Sequence, residues 1–182
     1  DLTVIMATMV VGPFYLSGAR GLDAGRVGAV LSAGPLAAAM TGVPAGRAVD
    51  RFGARRMTLA GLLGIAAGAI GLSALPATTG VVGYVVPILV LTANYALFQT
   101  ANNTSVLADV DAGRRGVVSG LLSLSRNLGL ITGASVMGFV FARASGAADV
   151  AAARPVELAA GMRTVFAVAA VLVLIALGVA LA

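Results

Sequence analysis

Six long apolar stretches most constrain what this 182-residue chain can form. They cover residues 2–19, 27–46, 57–76, 83–107, 117–142 and 163–182. Each contains about 18 to 26 residues, and about 20 helical residues cross a hydrocarbon core about 30 Å thick. Within lipid, only helices and closed barrels satisfy the hydrogen bonds of every backbone polar group. A helix that is apolar on all sides has no face suited to water. The pattern therefore predicts an all-α membrane protein with six transmembrane helices.

Composition supports the membrane class and argues against several other functions. Charged residues make up 10% of the chain, against about 25% in a typical soluble protein. The net charge is +5, but Trp is absent and aromatic residues are 5%, so arginines facing lipid phosphates explain the charge better than nucleic-acid binding. Cys and His are both absent, which excludes disulfides, thiolate metal sites and the usual proton shuttle. We expect no enzymatic activity, cofactor, metal or nucleic-acid partner.

The connections between the apolar stretches set the expected orientation. With a cytoplasmic N-terminus, the inner connections carry six arginines and the outer ones five, a small difference under the positive-inside rule. The densest cluster, between residues 47 and 56, favours a cytoplasmic location for that connection. The longest connection, residues 143–162, is expected to be either a surface-lying segment or a flexible loop.

The segment GRAVDRFGARR, residues 46–56, concentrates five charges between two apolar stretches. Gly46 and Gly53 are expected to permit a tight turn. Asp50 would accept hydrogen bonds from backbone N–H groups or face the positive end of a neighbouring helix. The arginines would pair with carboxylates, helix C-termini or lipid phosphates. On chemistry alone, an ordinary positive-inside loop explains the segment equally well.

The same segment resembles the G-x-L-x-D-R-x-G-R-R/K loop of the major facilitator superfamily, which joins the second and third helices of each six-helix half. The residues that fall on this motif are Gly46, Asp50, Arg51, Gly53, Arg55 and Arg56. Ala48 and Ala54 depart from the pattern, which is typical of the more degenerate copy in C-terminal halves. The segment lies between the second and third apolar stretches, as the resemblance requires.

A second segment, residues 116–142, resembles the thirteenth helix of the fourteen-helix drug:proton antiporters of that superfamily. The residues on its l-G-x-x-x-G-x-x-v-x-G pattern are Leu128, Gly129, Gly133, Val136 and Gly138. The resemblance implies that the chain is the C-terminal six-helix half of such a transporter in a bacterial cytoplasmic membrane. Its implied partners are the lipid bilayer, the N-terminal bundle of the same transporter, a small-molecule substrate and protons.

Glycines spaced four apart have an explanation that does not depend on the family. The pairs are Gly42/Gly46, Gly64/Gly68, Gly116/Gly120 and Gly129/Gly133. Small residues at this spacing let membrane helices approach closely, and smooth faces would also permit the rocking of alternating access. We therefore predict that these glycines pack against neighbouring helices.

The stretch 83–107 is the most polar of the six. Tyr95, Gln99, Asn102 and Asn103 recur at about one helical turn and share a face. Polar side chains within a membrane are costly unless they face protein or a wet cavity, so they either line a cavity or form interhelical hydrogen bonds. The resemblance implies a cavity lined by this helix and by the stretch 2–19. The candidates from the latter are Met6, Met9, Phe14 and Tyr15.

Arg126 is the one charged residue well inside an apolar stretch. It lies nine residues after Val117, about 13 Å along a helix axis. Either it snorkels to the cytoplasmic surface, or it faces the bundle interior and bonds helix carbonyls or a carboxylate of the N-terminal half. Because no apolar stretch contains Asp or Glu, a carboxylate that couples transport to protons would lie outside all six.

Together these features predict a secondary active transporter, with multidrug efflux by proton antiport and alternating access as the first interpretation. A major facilitator transporter of a nutrient or metabolite is the nearest alternative. A non-transporting membrane scaffold or receptor fits the charged segment 46–56 and the polar stretch 83–107 less well.

Overall fold

The computed structural model describes residues 5, 8, 9, 12, 13, 16, 17, 23–76, 81–146 and 154–181. Its helices are α1 (Ala24–Phe52), α2 (Ala54–Ser73), α3 (Val81–Ala108), α4 (Arg115–Ser145) and α5 (Pro155–Leu181), with a 3-10 turn at Ala112–Arg114. All five α-helices are long and apolar enough to cross a membrane. They confirm the last five predicted spans as helices, whereas the predicted span 2–19 lies mostly outside the described residues.

The turn expected over residues 46–56 is much shorter in the structure. Helix α1 continues to Phe52, and Gly53 alone separates it from α2. The backbone N–H of Gly53 donates to the carbonyl oxygen of Val49 at 2.9 Å. The prediction that Gly46 lies in the turn is therefore wrong. Arg51 in the last turn of α1 interacts favourably with the negative end of the helix dipole.

Gly53 has a backbone conformation that other residues rarely adopt, with φ 88° and ψ 146°. Replacing Gly53 by alanine is expected to cost about 1–3 kcal/mol of stability. The measurement is thermal unfolding of the purified protein in detergent. Gly46→Ala is the matched control, because Gly46 is helical and an added Cβ would meet no atom within 4 Å. Equal shifts in melting temperature for the two variants would contradict the strain at Gly53.

The long connection 143–162 is helical over most of its described part, so the prediction of a loop or surface segment is wrong there. Helix α4 ends only at Ser145, followed by Gly146 with φ 65°. Helix α5 begins at Pro155, where the missing N–H and fixed φ of proline suit a first helical position. The Glu157 carboxylate accepts from the backbone N–H of Arg154 at 2.8 Å and from its Nε at 2.7 Å. These bonds hold the first turn in place.

Helices α2 and α3 pack closely through a glycine face on α2. This face consists of Gly61, Gly64, Gly68 and Gly71. A Cβ added at Gly61 would lie 2.8 Å from the backbone of Phe98, and one at Gly68 would lie 2.8 Å from the Leu91 Cβ. The side chain of Asn94 covers Gly64. The packing prediction is confirmed for Gly64 and Gly68.

The other predicted glycine pairs differ. A Cβ added at Gly42, Gly46, Gly116 or Gly120 would meet no described atom within 4 Å, so the packing prediction is wrong for them in this part of the chain. A Cβ added at Gly138 would also meet no described atom within 4 Å, whereas Gly133 is buried in α4 and Gly129 is half-buried. The packing role of these three glycines stays a prediction. A spacing of four places two glycines on one face of a helix, but it does not determine whether another helix lies against that face.

The remaining helices flank the α2–α3 pair. Helix α1 packs on α3, where Gly34 lies against Thr92, and α5 packs on both α2 and α4. One end of the bundle brings the start of α2 beside the ends of α3 and α5, where Arg55, Asn102 and Ala180 line one pocket. At the opposite end, Nε of Arg163 in α5 donates to the Ser73 carbonyl of α2 at 3.3 Å. The helices therefore run in alternating directions.

Candidate functional site

An apolar pocket of about 340 Å³ lies between α1, α3 and the described residues of the stretch 2–19. Its size falls within the usual range for small-molecule sites. The hydroxyl groups in its wall come from Thr8, Thr92 and Tyr95. On α1, Gly34 and Pro35 border the pocket, and the absence of a side chain at Gly34 lets Thr92 come close. A wall of this kind accommodates the apolar body of a ligand with few polar contacts.

The stretch 2–19 borders this pocket through Ile5, Thr8 and Met9, and its Gly12 packs between α1 and α3. A Cβ added at Gly12 would lie 2.6 Å from the Tyr84 hydroxyl oxygen and 3.0 Å from Cδ2 of Leu31. Met9, a predicted cavity residue, lines the pocket and is 60% exposed. The other candidates predicted from this stretch lie outside the described residues; they are Met6, Phe14 and Tyr15.

Arg126 of α4 faces Gln99 of α3. A guanidinium group is only a donor, so the Gln99 amide presents its oxygen to it. In this orientation Oε1 of Gln99 accepts from Nη1 and Nη2 of Arg126 at 2.7 Å each. Gln99 lies nine residues before the end of α3 and Arg126 eleven residues after the start of α4, about 13 and 16 Å along the helices. The partner of Arg126 is therefore an interhelical amide, which is neither a helix carbonyl nor a carboxylate, the partners expected from the sequence.

Tyr95 connects the pocket to this guanidinium–amide pair. It lies four residues before Gln99, one helical turn of about 5.4 Å along α3. Tyr95 also lines the pocket. Neither Gln99 nor Arg126 lines the pocket itself, but Gln99 lies about one helical turn along α3 from Tyr95 of the pocket wall.

The rest of the predicted polar face of α3 does not line the apolar pocket or take part in the Arg126–Gln99 pair. Asn102 lines a separate pocket of about 280 Å³, which also contains Arg55 and Ser105. Asn103 is half-buried and lies outside both pockets. The four predicted residues span more than two helical turns, so their common face meets different neighbours along its length.

Two polar residues of α3 were not predicted as functional or packing positions. Thr92 lines the 340 Å³ pocket, and its position three residues before Tyr95 places it on the same helix face. The three-residue spacing from Tyr95 would have been sufficient to predict Thr92 from the sequence. Asn94 lies over Gly64, and its Nδ2 donates to the Val90 carbonyl at 2.8 Å. No pattern in the sequence distinguishes this packing role from cavity lining.

The charged segment 46–56 lies at one end of the bundle, away from the apolar pocket. Asp50, Arg51 and Arg56 are exposed, and the Arg51 guanidinium lies 5.3 Å from the centre of the Phe52 ring. Arg55 lines the smaller pocket. Gly53 provides no side chain to cap α2, so the positive end of this helix remains favourable to a carboxylate such as that of Asp50.

The whole chain matches one protein-family model, described as Major Facilitator Superfamily, over residues 2–182. It is similar to "Uncharacterized transporter YebQ" of Escherichia coli (strain K12), with 33% identity over 132 residues, 72% of this chain and 29% of that protein. It is also similar to "Riboflavin transporter RibZ" of Clostridioides difficile (strain 630), with 27% identity over 138 residues, 76% of this chain and 30% of that protein. The chain spans less than a third of the length of these relatives.

Proposed function

This chain belongs to the Major Facilitator Superfamily, and on that premise we propose that it forms the C-terminal six-helix half of a secondary active transporter. The observation that carries the proposal is the apolar pocket of about 340 Å³ between α1, α3 and the stretch 2–19. Transporters of this kind bind their substrate near the middle of the bilayer, between two bundles that rock against each other. The pocket supplies one wall of such a site.

The cargo class that we propose is amphiphilic compounds, exported by proton antiport from a bacterial cell. Support comes from the similarity of residues 116–142 to drug:proton antiporters and from the predominantly apolar wall of the pocket. Both relatives are bacterial. Because the apolar stretches contain no Asp or Glu, the coupling carboxylate would belong to the N-terminal bundle or to a helix end.

A metabolite transporter is the second candidate. The relative RibZ is named as a transporter of riboflavin. The Arg126–Gln99 pair, about one helical turn from Tyr95 of the pocket wall, has hydrogen-bond donors that a polar cargo would use. Export of a metabolite and export of a drug would require the same alternating access. The two candidates differ in the cargo that is moved.

Transport by purified protein in lipid vesicles tests the proposal. With an imposed pH gradient, the full-length transporter that contains this chain is expected to move an amphiphilic dye or riboflavin, and a protonophore should stop the movement. The 182-residue chain alone is expected to move neither, because half of the cavity wall is absent and a large apolar surface is uncovered.

Two results would contradict the proposal. The first is no movement of any tested cargo by the full-length protein while its melting temperature shows that it is folded. The second is pH-driven transport by the isolated chain as a monomer. Crosslinking in the same vesicles distinguishes a monomer from a self-assembled pair that rebuilds a cavity.

A further inference from the structure

We infer that Arg126, oriented by Gln99, is a cargo-recognition residue for the negatively charged oxygen group of an amphiphile, and that the transporter therefore prefers anionic to permanently cationic cargo. The inference rests on the proposed function and deepens it. Two observations carry it: Gln99 lies about one helical turn from Tyr95 of the pocket wall, and the guanidinium charge is unbalanced among the described residues.

The charge of Arg126 is not neutralised within the described ranges 23–76, 81–146 and 154–181. The ion pairs there join Arg26 to Asp23 and Arg154 to Glu157. The partner of Arg126 is a neutral amide. A net charge near the middle of a membrane is costly unless a partner or a wet cavity compensates it. An anionic group on the cargo would supply that compensation.

The contact with Gln99 leaves donors available. A guanidinium carries five N–H groups in one plane, and the Gln99 oxygen receives one bond from each Nη at 2.7 Å. Three N–H groups therefore remain for another acceptor. Because the two bonds to one oxygen fix the plane of the group, the remaining donors are pre-oriented for a carboxylate or phosphate.

The apolar pocket defines the rest of the cargo. Tyr95 lines it and lies one turn from Gln99 on α3, so a ligand whose apolar body fills the pocket brings its polar end near the guanidinium. The hydroxyls of Thr8 and Thr92 add neutral polar contacts. A permanent cation bound in the same place would be repelled by Arg126, with no carboxylate among the pocket residues to offset the repulsion.

A purely structural role makes a different prediction. If Arg126 only holds α4 against α3, its hydrogen bonds matter and its net charge does not. Its substitution would then change the affinity for every cargo by the same factor. The decisive measurement is therefore the ratio of affinities for an anionic and a cationic probe. We choose carboxyfluorescein and ethidium, which are both planar aromatic dyes of opposite charge.

The experiment measures the binding of each dye to the detergent-purified full-length transporter by fluorescence anisotropy, and its transport in vesicles. Arg126→Gln removes the charge, and Gln99→Glu keeps the shape of the amide but neutralises the guanidinium with a carboxylate. Arg143→Gln is the matched control, since Arg143 is an exposed arginine in the last turn of α4. Melting temperatures identify any variant that fails to fold.

Wild-type protein is expected to bind carboxyfluorescein more tightly than ethidium. Arg126→Gln and Gln99→Glu should each raise the Kd for carboxyfluorescein by about tenfold or more, as expected when one partner of a desolvated charge pair is lost. The Kd for ethidium should stay constant or fall. Arg126→Lys keeps the charge but loses the planar fork, so it should retain the anion preference with weaker binding. Arg143→Gln should change neither dye.

Equal weakening of both dyes in Gln99→Glu at an unchanged melting temperature would overturn the inference, as would tighter binding of ethidium by the wild-type protein. Transport of ethidium with no Arg126-dependent anion binding would contradict the inference and support the proposed transport function. Arg126-dependent binding of carboxyfluorescein without transport of either dye would support the recognition site and contradict the proposed function. If Arg126→Gln fails to fold, Gln99→Glu decides, because it retains Arg126 and an acceptor oxygen at position 99.

Discussion

Gly61→Leu should largely abolish the accumulation of folded protein, because the new side chain would collide with the backbone of α3. A Cβ at this position already lies 2.8 Å from the Cα and N of Phe98. Backbone atoms in a packed helix cannot move aside as the end of a flexible side chain can, so the two helices would have to separate. Even Gly61→Ala should cost about 1–3 kcal/mol, the usual range for overpacking.

Fluorescence-detected size exclusion and thermal unfolding in detergent measure this effect. Gly178→Leu is the matched control, because Gly178 is also a helical glycine and an added Cβ there would meet no atom within 4 Å. The control should elute as folded protein with a melting temperature near that of the wild type. Normal folding of Gly61→Leu would show that α2 and α3 do not pack through this glycine face.

Under the proposed function, Ala38→Trp should block transport by the full-length transporter while leaving it folded. Ala38 lines the 340 Å³ pocket, and the indole ring would occupy much of the space that the cargo needs. We expect the rate of cargo transport to fall by more than about tenfold, equivalent to at least about 1.4 kcal/mol. Vesicle transport and the melting temperature are measured on the same preparation.

Ala39→Trp provides the control for this prediction. Ala39 is the next residue of α1, is exposed and does not line the pocket. It should tolerate the larger side chain with transport close to the wild-type rate. If Ala38→Trp is as active as Ala39→Trp, the cargo does not use this pocket. If both variants lose activity, the effect belongs to α1 as a whole rather than to the pocket.

Some residues of the candidate site were predicted from the sequence, and others were assigned to the wrong surroundings. Tyr95 and Gln99 were predicted from their spacing on the most polar apolar stretch, and Tyr95 lines the pocket while Gln99 binds Arg126. Asn102 fits the same pattern but belongs to a different pocket beside Arg55. Periodicity identifies a shared helix face, but it cannot say which neighbour meets that face at each level.

The sequence by itself determined the class of the protein and the approximate positions of the five described helices, whereas the structure shortened the predicted turn 46–56 to Gly53 alone. These properties follow from the lipid environment, which requires long apolar helices with satisfied backbones wherever the chain crosses it. Charged residues mark where the chain leaves the membrane. Each of these requirements acts on a local segment and is therefore visible in the order of residues.

Only the tertiary structure decided that Gln99 binds Arg126 and that α1 contributes Pro35 to the pocket. It also decided that Gly64 and Gly68 pack against a neighbouring helix, while Gly42 and Gly46 meet no atom of the described residues. The physical reason is that lipid tails are as apolar as a protein core. Hydrophobicity therefore does not distinguish the face of a membrane helix that meets another helix from the face that meets lipid. That distinction depends on the rotation and neighbours of each helix, which arise when the bundle assembles.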